Sequence, residues 1–203
     1  MLNFSDNLRL FTYKVAYDKG SAPNPFYNVC TLAICKPRIR AYAKVGDIIV
    51  GVGCKEDSHR IVYCMVVDQV LTWDEYVDYC QKHLINRFPT NDRYGDCIWT
   101  EKGKMEKYSP LISNDSVHGH NENSFYTDVI EGKNVLLGKT YWYFGCGDKY
   151  SITLPEDLKS ISPRAQGHRV NVNTNYRKRF IEFFNEALIK NNIDLGLNGT
   201  PKD

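Results

Sequence analysis

The sequence predicts an α+β fold: a small, curved, mostly antiparallel β-barrel with a few peripheral helices and a C-terminal amphipathic helix. Three observations carry that prediction. Runs rich in β-branched and aromatic residues dominate the first two-thirds of the chain, at 9–17, 48–53 and 60–72. Strands do not alternate with long helices, as they must in a doubly wound parallel sheet. The one long helical pattern comes last, over 173–192.

Each element has a local reason. "RLFTYKVAY" (9–17) alternates and reads as a strand. Gly20, Pro23 and Pro25 then break regular structure, and the loop ends in the anchors Phe26 and Tyr27. Residues 31–43 suit a short strand and a short helix with Pro37 in its first turn, where a missing N–H costs little. Gly46-Asp47 is a turn, and "IIVGVG" is a strand whose Gly51 and Gly53 permit a bend or a close neighbour. "RIVYCMVVDQVLT" (60–72) reads as one long strand. Thr72 and Glu75 then form a capping box for "WDEYVDYCQKH". A hairpin is expected around Glu101-Lys102-Gly103-Lys104, and strand character returns at Lys139–Phe144 before a turn at Gly145–Asp148. In the last helix Tyr176, Phe180, Phe184, Ala187 and Leu188 share a face, and the preceding Asn-Thr-Asn supplies caps. The elements make one α+β domain over residues 1–192 with a loop-rich insertion at about 86–128. A polar tail over 193–203 is expected to fray.

Composition narrows the function classes. The 203 residues carry a net charge of +2, not the strongly basic balance of a protein that grips duplex DNA mainly through phosphates. A local basic patch stays open. No run approaches the ~18 apolar residues of a spanning helix, so no membrane role is expected. The N-terminal stretch has no charged start followed by an apolar core, so no signal peptide is read. The seven cysteines include no Cys-x-x-Cys pair, which disfavours a secreted disulfide framework and favours reduced, buried thiols. Cys30 and Cys35 lack two further ligands at workable spacing, so neither a metal nor a cofactor is expected.

Several constellations could carry chemistry. Gly51/Gly53 and Gly145/Gly147 are either strand-end turns or a floor on which a flat ligand lies close to the backbone. Lys36 and Arg40, four apart, share a face of the predicted short helix. They are candidate phosphate ligands, or else part of a solvated basic face with Arg38. His118, His120, Asp115, Asn121 and Asp128 bring acid–base groups to the insertion, yet no nucleophile–base–orienter set emerges. Gly167-His168-Arg169 either delivers His168 and Arg169 to a ligand or tucks onto the sheet. Arg177, Lys178 and Arg179 open the last helix against its dipole, which hints at an acidic partner unless the face is simply solvated.

The ordered set "DKGSAPNPF…CTLAICKPRIR…GDIIVGVG", "VYCMVVDQVLTWDEY", "GDCIW" and "YWYFGCG" resembles the nucleotide modification associated domain 2 family. The resemblance runs from about Tyr13 to Gly147. That family occurs in bacteria and phages and is linked by gene neighbourhood to DNA base modification. The order short helix, Gly-Asp, apolar strand is more distantly similar to PUA-like domains of the EVE and ASCH groups, which are small curved barrels. This chain departs from them in its insertion and its last helix.

The resemblance implies a cytoplasmic protein, bacterial or phage-encoded, whose partner is a nucleotide or nucleic acid. The leading expectation is a binding domain linked to DNA base modification that recognises a base, modified or not. Phe26, Tyr27 and Trp142 are the stacking candidates. Asn24 and Thr31 are candidates for a base edge, and Lys36, Arg40 and Arg169 for phosphate. An enzyme acting on a nucleobase or nucleotide is the alternative, with His118, His120, Asp128 or His168 as its acid–base group. A phage or host-defence protein that sequesters a nucleotide signal is the third.

Overall fold

The structure, a computed structural model, describes residues 1–53, 59–89, 95–101, 122–146, 149–165 and 167–201. In chain order its elements are β1 (Leu10–Lys14), β2 (Cys30–Leu32), α1 (Pro37–Tyr42), β3 (Ile48–Val52), β4 (Ile61–Val66), β5 (Gln69–Thr72), α2 (Trp73–His83), α3 (Glu122–Phe125, continued as a π turn over Tyr126–Glu131), β6 (Asn134–Gly138), β7 (Tyr141–Gly145), β8 (His168–Asn171), α4 (Thr174–Lys190) and β9 (Gly196–Thr200). Short 3₁₀ turns lie at Ile85–Arg87 and Glu156–Ile161.

Two sheets stack between two helices. The larger has the order β8-β1-β3-β4-β7-β9 and the smaller β2-β6-β5. Alternation along β1 explains the stacking: Leu10 packs on one face, while Phe11, Tyr13 and Val15 pack on the other. The first face is covered by α4 through Phe180, Ile181, Phe184 and Leu188. The second is covered by the smaller sheet and α1 through Cys30, Leu32, Ile39 and Leu136. The outer side of the smaller sheet buries Val135 and Leu137 against Trp73, Tyr76, Val77 and Cys80 of α2. The capping box reads as expected: Thr72 accepts from Glu75 N–H at 3.3 Å, and Glu75 accepts from Thr72 N–H at 2.8 Å.

The fold is α+β, but a closed barrel is not found. Among the described residues the larger sheet ends at β8 and β9, and β1–β3 and β7–β9 are parallel pairs in an otherwise antiparallel ladder. The expected long strand 60–72 is two strands in different sheets. Asp68 turns the chain between them, accepting Lys139 N–H at 2.5 Å. The tail expected to fray forms β9 beside β7. The pair closes tightly because Gly145 and Gly199 have no Cβ: one on Gly145 would come within 2.0 Å of Thr200 O, and one on Gly199 within 1.8 Å of Phe144 O. The loop expected at His168-Arg169 is the edge strand β8. The hairpin expected at Lys102–Lys104 lies outside the described residues.

Cys30, Cys35, Cys64, Cys80 and Cys97 are free thiols, whereas Cys146 is disulfide-bonded, which corrects the all-reduced expectation at that position. No helix among the described residues is long and apolar enough to cross a membrane.

Candidate functional site

The site is best built from α1. Lys36 and the preceding Cys35 both have left-handed backbones, with φ of 46° and 60°. An L-residue adopts that conformation only when its surroundings over-determine it. Here Arg40 and Asp128 do so. The Arg40 guanidinium donates to Cys35 O at 2.7 Å, Asp128 O at 2.8 Å, Asn134 O at 2.9 Å and Asp128 Oδ1 at 3.0 Å. Asp128 Oδ1 also accepts Cys35 N–H at 3.1 Å, and Oδ2 accepts Trp99 Nε1–H at 3.3 Å. Both side chains are buried, and burial draws the Arg40 pKa down to about 10 against the pull of Asp128. This network holds the Cys35–Lys36 corner and turns Lys36 outward.

Outside the corner is a cleft of about 690 Å³ lined by Lys36, Arg38, Tyr42, Glu131, Lys133 and His168. Burial, and then the charges of Arg38 and Lys36, hold the His168 pKa below its usual value. Burial likewise lowers that of Lys36, whose Nζ sits 5.2 Å from the centre of the Tyr13 ring. Among the described lining residues, Lys36, Arg38, Lys133 and His168 therefore share the cleft with one carboxylate, Glu131, an arrangement suited to anions.

Beneath the cleft runs a row of side chains on one face of the larger sheet. His168 pairs with Tyr13, Tyr13 with Gly51, Gly51 with Tyr63 and Tyr63 with Tyr143. Residues in register share a face, so the row is continuous. Gly51 provides its gap: a Cβ there would lie 2.6 Å from the Tyr63 ring and 2.8 Å from Val15. The glycine makes room for a neighbouring side chain. The Tyr13 and Tyr63 rings meet edge to face at 6.0 Å. Both hydroxyls are buried, and the interaction each makes is with the other. Burial raises both pKa values, keeping them protonated. Tyr143 donates to Asp18 Oδ2 at 2.7 Å, and burial of Asp18 outweighs that bond and lifts its pKa to about 6.

The expected site residues fall in separate neighbourhoods. Lys36 and His168 line the same cleft. Arg40 does not share an outward face with Lys36; it points inward with Asp128. Asn24, Phe26, Tyr27 and Thr31 gather around Arg87, which donates to Thr31 Oγ1 at 3.0 Å and to the carbonyls of Asn24, Phe26 and Val29, and lies 5.7 Å from the centre of the Tyr27 ring. Thr31 donates to Asp96, which also accepts from Tyr76 at 2.6 Å. Phe26 and Tyr27 remain half-buried. Trp142 is on the opposite face of the larger sheet, edge-on to Phe184 at 5.3 Å and 1% exposed. Arg169 lies on the other side of β8 from His168, in register with Thr12. His118 and His120 lie outside the described residues. The cations opening α4 have internal contacts: Arg177 donates to Asp6 O at 3.1 Å, Arg179 to Asp157 Oδ2 at 2.8 Å, and Lys178 lies 5.0 Å from the centre of the Phe4 ring.

The sequence model of one protein family, nucleotide modification associated domain 2, matches residues 7–202, from β1 through β9. The chain belongs to that family. The match extends beyond the motifs between Tyr13 and Gly147 to include β8, α4 and β9. No curated protein and no solved structure matches the chain. Membership associates the domain with nucleotide modification. The missed residues, Tyr13 and Asp18, Tyr63, and Lys133 and Tyr143, come from three stretches far apart in sequence, and only Gly51 inside a strand hinted at a side chain crossing the sheet.

Proposed function

We propose that this chain binds the phosphate of a nucleotide or nucleic acid in the cleft beside α1, with Lys36, Arg38, Lys133 and His168 as its anion-facing groups. The charge of the cleft carries the reading: among its described lining residues, those four side chains stand with one carboxylate, Glu131. The exposed Tyr42 ring at the rim offers a face on which a base can stack, worth roughly 1–3 kcal/mol. Phe26 and Tyr27 remain stacking candidates for a longer ligand. In this reading Asn24, Thr31, Arg40, Asp128 and Trp142 support the site from inside. The test is mass spectrometry of nucleotides released from the denatured protein. Nucleotides are expected from the wild type and should be depleted from Lys36→Ala. Equal recovery from both contradicts the assignment.

A second reading, an enzyme acting on a nucleobase or nucleotide, is favoured by the buried Tyr13–Tyr63 hydroxyl pair, with the Tyr13 ring beneath Lys36. Protonated tyrosines can donate to a developing negative charge. Under this reading Tyr63→Phe keeps nucleotide affinity and loses turnover. Under the binding reading alone it changes neither.

A further inference from the structure

We infer that the cavity on the opposite side of β8 is a second phosphate subsite, so that the ligand is a polynucleotide straddling this edge strand. The inference rests on the binding reading above and narrows it to a ligand class. The second cavity, of about 500 Å³, is lined by Lys14, His59, Ser162, Arg164 and Arg169 together with Lys159; no carboxylate is among its described lining residues, although Glu156 lies near Lys159 and His59. Lys159 is paired with Glu156 at 2.6 Å. Arg164 and Arg169 are exposed and form no ion pair among the described residues. Ser162 is 4% exposed, and its hydroxyl has no hydrogen-bond partner among the described residues. A buried hydroxyl donor set among cations is suited to a phosphate oxygen.

The strand between the cavities decides the ligand class. His168 and Arg169 are consecutive in β8, so their side chains project from opposite faces of the sheet. His168 lines the first cavity and Arg169 the second. On β1, Tyr13 and Lys14 divide in the same way: Tyr13 packs beneath Lys36, and Lys14 lines the second cavity. One phosphate cannot occupy both faces. A ligand engaging both must carry phosphates on either side of the edge, as successive nucleotides of a single strand do. Among the described residues β8 ends the sheet, so no strand there pairs with its outer backbone groups.

The experiment compares a single-stranded DNA 12-mer with a 5′-mononucleotide at several salt concentrations. Arg164→Ala/Arg169→Ala is expected to weaken the 12-mer about tenfold, lower its salt slope by about 1–2, and leave mononucleotide affinity unchanged. Lys36→Ala/Arg38→Ala should weaken both ligands. If the Arg164/Arg169 pair leaves the 12-mer unaffected while the Lys36/Arg38 pair weakens it, the second subsite is overturned and the first reading stands. If neither pair changes either ligand, both are overturned.

Discussion

Asp18 is a buried carboxyl group that receives a hydrogen bond from Tyr143 and is also near the backbone N–H groups of Gly20 and Cys146, yet burial outweighs all three. Its folded pKa of about 6 exceeds the ~3.9 of an unfolded aspartate, so the folded state holds the proton more tightly. Its contribution to stability is therefore greatest below about pH 4, declines as pH rises to about 6, and is constant above, a total change of about 3 kcal/mol at most. Asp18→Asn keeps an acceptor for Tyr143 and removes the buried charge. It should stabilise the protein by about 1–3 kcal/mol at pH 7.5 and hardly at all at pH 4, read by urea unfolding at each pH. An equal effect at both would contradict the assignment. Asp128 is the opposite case, since its charge is matched by Arg40 at 3.0 Å. Asp128→Asn leaves that guanidinium buried and unbalanced and should cost about 3–5 kcal/mol in the same measurement. His168 links residue chemistry to the proposed function. Its pKa is lowered by burial and by two neighbouring cations, and a bound phosphate would oppose those cations. Phosphate affinity should therefore rise as pH falls from 7.5 to 6, and His168→Ala should flatten that profile.

At the scale of elements, the row across β8, β1, β3, β4 and β7 depends on Gly51, whose missing Cβ admits the Tyr63 ring. Gly51→Ala should lose about 1–3 kcal/mol through overpacking, whereas Gly167→Ala, with nothing within 4 Å, should be nearly neutral; thermal unfolding compares them. The helices and single strands were legible because their signals are local. The Thr72/Glu75 box, Pro37 at the start of α1 and the Asn173 cap each act within one turn, and each forms as read. The division of 60–72 was not legible, since Asp68 marks a change of sheet only through its bond to Lys139 N–H, 71 residues away in sequence. Arg40 misled for a related reason. Its spacing from Lys36 fits a shared helix face, but Lys36 is the left-handed residue preceding the helix and Arg40 is drawn inward by Asp128.

For the whole molecule, strand periodicity predicted strands where β1, β3, β4 and β7 form, but it carries no information on whether the sheet closes. β9 shows the limit: its polar, glycine-containing sequence has no apolar alternation, and it pairs because its glycines let it approach β7. The cleft was half legible. Lys36 and His168 were candidates from their local context, while Lys133 and the tyrosine row depended on register between distant strands. Overall charge is nearly balanced, so the proposed binding would depend on how cations concentrate along β8 and α1 rather than on their total. The most direct test is isothermal titration of a single-stranded oligonucleotide into the wild type and Lys36→Ala/Arg38→Ala at two salt concentrations. The proposed cleft predicts roughly tenfold or greater loss of affinity and a shallower salt dependence in the variant; unchanged affinity and unchanged salt dependence would contradict it.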